Sequence, residues 1–296
     1  MVEGSVEQVR RFNRIVTARV GALDDHFLGR PRALGESRLL WEIGRQSAGC
    51  ELRSLRAQLG LDSGYLSRML RSLQDAGLVE VAAADGDARV RVARLTPRGR
   101  RERAALDRDS DRFAASLLGR LTEDQQRRLL GAMREVEHLL TAASAEIRAV
   151  DPEHEDARRC LGEYVAELNR RSSRGFDPSR GATALPHEVR PPAGQFFVVY
   201  LQHEPVGCGA VTHHPGTPAE IKRMWIAPQA RGFGLGRRLL ATLESCAREA
   251  GARTAHIETS AVLGEALALY RSSGWVEVPA FNQEPFADHW LEKQLV

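Results

Sequence analysis

The segment from Gln229 to Leu240 holds the residue types best suited to gripping an anion. Gly232, Gly234 and Gly236 alternate with Phe233 and Leu235, between the apolar stretch Met224–Pro228 and the start of an amphipathic run. Glycines in a tight turn let successive backbone N–H groups converge on one hollow. The first turn of the helix that follows adds about half a positive charge. Arg231 and Arg237 bring formal charge to the same place. A pyrophosphate is the chemistry such a cradle serves, although an ordinary tight turn draws on the same glycines. The spacing is G-x-G-x-G. It differs from the G-x-G-x-x-G of dinucleotide folds, and the G-K-[ST] of a Walker loop is absent.

A second set of candidate residues lies upstream. Glu51–Gly60 reads as a short helix closed by glycine, Leu61-Asp62 as a turn, and Ser63–Ala76 as a helix capped by Ser63 and stopped by Gly77. Two helices across a tight turn make a helix-turn-helix. Leu78–Val81 and Arg89–Leu95 alternate like strands around the turn-rich stretch 84–88, and the second strand mixes Arg89, Arg91 and Arg94 with apolar residues. The second helix would offer Ser63, Tyr65, Ser67, Arg68 and Arg71 to a DNA groove, with Arg68 and Arg71 sharing a face. Arginine reads guanine bidentately or binds phosphate. Arg89, held by Asp87, would enter a minor groove from the ribbon tip, with Arg91 behind it. In a chain with only two lysines, Lys222 and Lys293, any one of these arginines equally fits a solvated face.

Two family resemblances rest on these residues. Arg231, Gly234 and Gly236 fill the acetyl-CoA signature R/Q-x-x-G-x-G/A, which resembles that of the GNAT N-acetyltransferases. Downstream, Ala266–Trp275 resembles the family's A-x-x-L-Y-x-x-x-G-[FYW] segment. The resemblance covers about residues 145–296. It implies an α/β (α+β) fold with a mixed, splayed sheet, acetyl-CoA as acetyl donor, and an amine acceptor, either a small molecule or a protein lysine. Pantetheine would lie along Met224, Trp225 and Ile226. The diphosphate would sit on Arg231, Gly232, Phe233, Gly234, Leu235, Gly236 and Arg237. Tyr270 would protonate the departing thiolate, and Glu220 would act as base, directly or through water. His289, His256 and His213 are further base candidates. A salt bridge from Glu220 to Lys222 or Arg223 is the structural alternative for that carboxylate. Phe281, Asn282, Phe286 and Trp290 would line the acceptor pocket, where core packing is the alternative for each aromatic. One departure stands out: Leu263 occupies a position, seven before the tyrosine, where many family members carry Asn.

The upstream pattern Gly77-Leu78-Val79, Asp87-x-Arg89 and Leu95–Gly99, followed by two long helices, resembles the MarR family of transcriptional regulators over about residues 6–145. That implies a mainly helical winged helix-turn-helix, an operator in double-stranded DNA as partner, and a homodimer through the N-terminal domain.

Length and composition accommodate both halves. The chain has 296 residues, 43% of them hydrophobic, enough for two cores. The expected division is residues 1–144 and 145–296. Helices are expected over Val6–Leu23 and Ser37–Gln46, and Asp151 is expected to cap a helix that begins with Pro152. The net charge of +3 makes no bulk case for nucleic acid. No apolar run is long enough for a membrane span and no secretory signal is visible. Cys50, Cys160, Cys208 and Cys246 are far apart and show no metal or disulfide spacing, which fits a reducing cytoplasm and no metal. The expectation is therefore a DNA-binding regulator that is also an N-acetyltransferase. The alternative is a regulator whose GNAT domain only senses acetyl-CoA or a metabolite.

Overall fold

The structure is a computed structural model that describes residues 3–45, 49–84, 87–172, 175, 185–213 and 216–295. The side chains of Asp87 and Ala88 fall outside this description, and with them the expectation that Asp87 holds Arg89. The chain divides into two compact units, Met1–Leu130 and Gly131–Val296.

The first unit runs α1 (Glu3–Arg19), α2 (Leu34–Ile43), β1 (Cys50–Glu51), α3 (Leu52–Leu59), α4 (Ser63–Asp75), β2 (Val79–Ala84), β3 (Asp87–Leu95), α5 (Pro97–Leu118) and the start of α6 (Glu123–Ala143). Its strands form an antiparallel sheet in the order β1-β3-β2. The helix pair α3–α4 and the β2–β3 ribbon form a winged helix. Apolar side chains at helical spacing on α4, namely Leu66, Met69, Leu70 and Leu73, pack with Leu39, Leu40 and Leu55 into its core.

Local chemistry sets the corners. Gly60 closes α3 at φ 62. Asp62, not the expected Ser63, starts α4: its backbone is extended and its carboxylate accepts the Tyr65 N–H at 2.9 Å. Only a residue still outside the helix can turn its side chain back onto those first N–H groups. Ser63 lies inside the helix, where its carbonyl accepts the Ser67 hydroxyl at 2.7 Å. Thr96 accepts the Gly99 N–H at 3.0 Å to start α5, and its hydroxyl donates to the Gly77 carbonyl at 2.7 Å. One threonine thereby ties the base of the wing to the turn that ends α4.

The second unit contains β4 (Glu146–Val150), α7 (Glu155–Arg171), β5 (Gly194–Leu201), β6 (Glu204–Thr212), β7 (Ala219–Ile226), α8 (Leu235–Glu249), β8 (Thr254–Thr259), α9 (Gly264–Ser272), β9 (Val276–Glu277) and β10 (His289–Gln294). Its sheet has the order β4-β5-β6-β7-β8-β10-β9. Every neighbouring pair is antiparallel except β7–β8, which is parallel. Leu235, Leu239, Leu240, Leu243 and Ala247 form the buried stripe of α8. They share a core with Phe196, Val198, Val211, Ile221 and Ile257 from the strands.

Three expectations change here. The first two helices are Glu3–Arg19 and Leu34–Ile43, each beginning before the expected start. The cap of α7 is His154, whose Nδ1 accepts the Asp156 N–H at 3.2 Å. Asp151 makes a cap-like bond too early, its Oδ1 accepting the Glu153 N–H at 2.8 Å in the turn before α7, and Arg190 donates to the same carboxylate at 2.8 and 2.7 Å. The Cys208 thiol on β6 donates to the Arg223 carbonyl at 3.5 Å, and Cys160 on α7 and Cys208 are both buried and free.

The second unit also takes in the last turns of α6. His138 stacks on Phe233 with ring centroids 4.7 Å apart. Arg238 donates to the carbonyls of Ala142 (2.6 Å) and Ala145 (2.9 Å), at the C-terminal end of α6 where cations are favoured.

Phe196 is fully buried on β5. Replacing it with alanine is expected to cost about 3–5 kcal/mol by opening a cavity. Urea unfolding followed by circular dichroism should show the loss in the transition of the second unit.

Candidate functional site

The opening that forms the site begins with an interrupted ladder. β7 and β8 pair only at Ala219–Ala255 and Glu220–His256. Farther along β7, Arg223 adopts φ 55, and the step Lys222–Trp225 on β7 faces the shorter step Cys208–Ala210 on β6. This is a β-bulge, and its extra residue bends the strand. Met224, Trp225 and Ile226 then border a cavity of about 470 Å³ instead of a neighbouring strand.

The far end of the cavity is the glycine turn. Gly232 and Gly234 have φ of 87 and 70, the left-handed region that glycine enters freely. Gly236 meets a different demand: a Cβ there would lie 3.2 Å from Leu269 Cδ2. The first helical bond of α8 runs from the Arg238 N–H to the Gly234 carbonyl at 3.1 Å. The N–H groups of Leu235, Gly236 and Arg237 therefore have no acceptor within the helix. No acidic residue occupies this first turn to compete for them. Each nominated cofactor residue lines the cavity except Phe233, whose ring is stacked on His138.

Arg231 is placed differently from a free cation in the cradle. Its Nε donates to the Ile226 carbonyl at 2.9 Å and its Nη2 lies 2.7 Å from both carboxylate oxygens of Glu167. Glu167 is buried on α7 and also accepts the Trp225 indole N–H at 2.7 Å. Arg171 reaches Glu167 at 2.9 Å and continues to Glu265 on α9 at 2.9 Å. Burial pushes the Glu167 carboxyl up, but hydrogen bonds from Arg231 and Trp225 outweigh it and hold the group below the usual carboxylate range. Arg231 thus shapes the floor of the cavity. Arg237 is exposed and donates to the Ser272 hydroxyl at 3.1 Å.

Tyr270 lines the same cavity from α9 and is 5% exposed. Among the described residues its hydroxyl has no hydrogen-bond partner. Burial, then the charges of Tyr164 and Glu258, raise its phenol well above the ordinary tyrosine range, so it keeps its proton. Leu263, also on the wall, starts α9 without any side-chain cap.

Glu220 stands where β7 and β8 still pair, and its Oε2 lies 2.7 Å from Lys222 Nζ. Lys222 also holds Glu258 of β8 at 3.0 Å. Burial works against the Lys222 charge, yet Glu258 and Glu220 together raise its pKa, so the ammonium stays charged. Of the histidines, His256 is occupied by Glu292 at 3.0 Å and stacks on Phe281 with centroids 4.1 Å apart. His289 bonds Glu277 at 2.6 Å, and the Nδ1 of His213 is buried without a partner among the described residues. Of the four nominated acceptor residues, Phe281, Asn282 and Phe286 lie on the segment between β9 and β10 and Trp290 lies on β10 itself; none of them lines the cavity. The Trp290 indole donates to Asn282 Oδ1 at 2.8 Å, and the Phe286 N–H donates to Glu284 at 3.4 Å. Trp290 opposes Glu258 in the β10–β8 register.

In the first unit, Ser63, Tyr65, Ser67, Arg68 and Arg71 are all exposed, on the side of α4 away from its buried leucines. The Arg68 guanidinium lies 5.8 Å from the Tyr65 ring centroid. Arg89 and Arg91 are exposed on β3.

Sequence reasoning missed Tyr164, Glu167, Arg171 and Glu258. The i,i+4 pair Glu167–Arg171 was the one local signal. Nothing local tells that a tryptophan and an arginine some sixty residues away converge on that glutamate.

Comparison with known proteins agrees with this geometry. Residues 192–277 match the model of the acetyltransferase (GNAT) domain. The IAA acetyltransferase of Azospirillum brasilense is 39% identical over 89 residues, which are 30% of this chain and 58% of that protein. The chain thus spans little more than half of that relative. The uncharacterized N-acetyltransferase YjgM of Escherichia coli strain K12 is 33% identical over 126 residues, 40% of this chain and 74% of that protein. Among solved structures, a probable transcriptional regulator from Pseudomonas aeruginosa is similar over 44% of this chain and 96% of its own, at 22% identity and a TM-score of 0.38. With the glycine turn, the interrupted β7–β8 ladder and the matched family model in one unit, and an N-acetyltransferase 33% identical and covered over 74% of its length, the chain belongs to the GNAT acetyltransferase family.

Proposed function

We propose that the protein is a DNA-binding regulator that also transfers acetyl from acetyl-CoA to an amine. The observation that carries the enzymatic half is one cavity shared by an anion turn and a protonated tyrosine. Bound acetyl-CoA supplies a thioester. The N–H groups of Leu235, Gly236 and Arg237 would hold its diphosphate, and Met224, Trp225 and Ile226 would flank the pantetheine. Tyr270 keeps a proton for the departing sulfur, since its phenol is raised rather than lowered. Two carboxylates, Glu220 and Glu258, flank Lys222 at the splay, and either would accept a proton from an incoming ammonium.

DNA binding is supported by the exposed Ser63, Tyr65, Ser67, Arg68 and Arg71 of α4 and by Arg89 and Arg91 on the wing. Dimerisation through the first unit is supported by α1, which leaves Val6, Val9, Phe12, Ile15 and Val16 exposed. A duplex operator and a second copy of the chain are the partners this reading requires. Among the described residues no helix is long and apolar enough to cross a membrane. A second reading, in which the cavity senses acetyl-CoA without turnover, is favoured by Leu263 on the wall where family members carry Asn.

Release of CoA, followed with a thiol reagent over an amine panel, tests the enzymatic reading. Tyr270→Phe should lower kcat about 100-fold with the KM for acetyl-CoA nearly unchanged. An inactive wild type that still binds acetyl-CoA by calorimetry, and whose DNA affinity changes on binding it, would favour the sensor.

Gly234→Ala forces a side chain into left-handed backbone and should weaken acetyl-CoA binding in the same calorimetry, with the thermal unfolding midpoint little changed.

Arg68→Ala should weaken DNA binding in a mobility-shift titration. If the residue contacts phosphate, the slope of log affinity against log salt should fall by about 1. Binding that is insensitive to salt would count against the DNA reading.

A further inference from the structure

The glycine turn has two sides. Gly232 and Gly234 line the cavity, whereas the ring of Phe233 between them stacks on His138 of α6, with centroids 4.7 Å apart and planes 19° from parallel. The turn itself meets the same imidazole: a Cβ on Gly232 would lie 4.0 Å from His138 Cε1. Both glycines hold left-handed backbone, so whatever fixes that backbone on the cavity side also fixes the ring on the other. The start of α8 reaches α6 as well. Arg238 gives its N–H to the Gly234 carbonyl and its guanidinium to the carbonyls of Ala142 and Ala145. His138 and Ala142 are four residues apart, so one face of α6 makes both contacts.

Little else holds this helix. None of the residues of α6 is fully buried. Gly131 stands inside it, at the boundary between the two units, and a Cβ there would meet nothing within 4 Å among the described residues. No packing demands that glycine, and a glycine inside a helix weakens it. Local opening is cheapest where buried apolar contacts are few. The stretch 131–143 is therefore able to dock or loosen without the rest of the fold, and the contacts of His138 and Ala142 tie it to the cradle.

We propose that occupancy of the cradle by coenzyme A regulates DNA binding by the first unit through α6. The bound diphosphate fixes the turn, Phe233 then holds His138, and the helix that leads out of the first unit is secured at its far end. This rests on the cofactor reading of the cavity and the DNA reading of the winged helix, and it holds whether or not the site turns over. A ligand shifts such an equilibrium only by binding one state better than the other. Here the docked state offers coenzyme A a turn already set. The coupling is reciprocal, so DNA changes cofactor affinity by the factor with which the cofactor changes DNA affinity.

The test follows amide hydrogen exchange of residues 131–143 in the full-length protein, with and without coenzyme A. Alongside it, binding is titrated for a duplex that the cofactor-free protein selects from a random-sequence library. Coenzyme A should slow exchange in this stretch about 5-fold or more and change duplex affinity by a similar factor. His138→Ala should still bind coenzyme A by calorimetry and still bind the duplex, yet lose both effects. His138→Phe, which keeps a ring to stack on Phe233, should retain them, and it serves where the alanine variant fails to fold. Coenzyme A that binds the wild type without slowing exchange in 131–143, or without changing duplex affinity, overturns the proposal and leaves the cofactor site standing. Coupling that survives in His138→Ala overturns it too. No binding of coenzyme A removes the cofactor reading, and failure to select any duplex removes the DNA reading; the proposal falls with either.

Discussion

The second unit depends on a ladder that stops early. Parallel β7 and β8 share only two residue pairs before the Arg223 bulge turns β7 aside. A full ladder would place a strand where the cavity now lies. The backbone groups released by the splay need partners or solvent, and an extended ligand with amide groups satisfies them as a strand would. The side chains at the splay follow from the same geometry. Lys222 reaches across to Glu258 because the strands part there, and Trp225 turns its indole to Glu167.

The cavity needs a rigid floor if a thioester is to be aimed. Glu167 supplies it from α7, gathering Trp225 of β7, Arg231 of the glycine turn and Arg171 of its own helix. A buried carboxylate with so many donors remains ionised, and its ring of charge-assisted bonds fixes the turn relative to the strand. Pre-organisation of this kind lets backbone N–H groups act on an anion without first being reoriented. In the proposed function the arginine of the signature would work one step removed from the cradle: it holds the turn through Glu167 and Ile226, and the amides would present the charge.

Much of the fold was legible because it is written in short-range patterns. Glycines at 60, 77, 232 and 234 mark left-handed corners, and each lies at such a corner in the structure. The leucine stripe of α8 was readable as one buried face, whereas on β3 the alternation breaks, since the neighbours Val92 and Ala93 are both buried. The misreadings were local competitions with tertiary answers. Ser63 and Asp62 both have capping chemistry, and backbone conformation decided between them. Asp151 had a cap's sequence context and does accept the Glu153 N–H, but the helix itself begins after His154, and Arg190, distant along the chain, shares the Asp151 carboxylate.

The residue order by itself determined the family signature, the two-part organisation and the position of Tyr270 on a helix, because each depends on contacts a few residues apart. Only the folded chain decided which polar groups meet: that Arg231 and Trp225 both answer to Glu167, and that Lys222 lies between Glu220 and Glu258. The physical reason is that burial and pairing arise between elements far apart in sequence. A single chain read in order carries the charge of each group but not the distance to its partner.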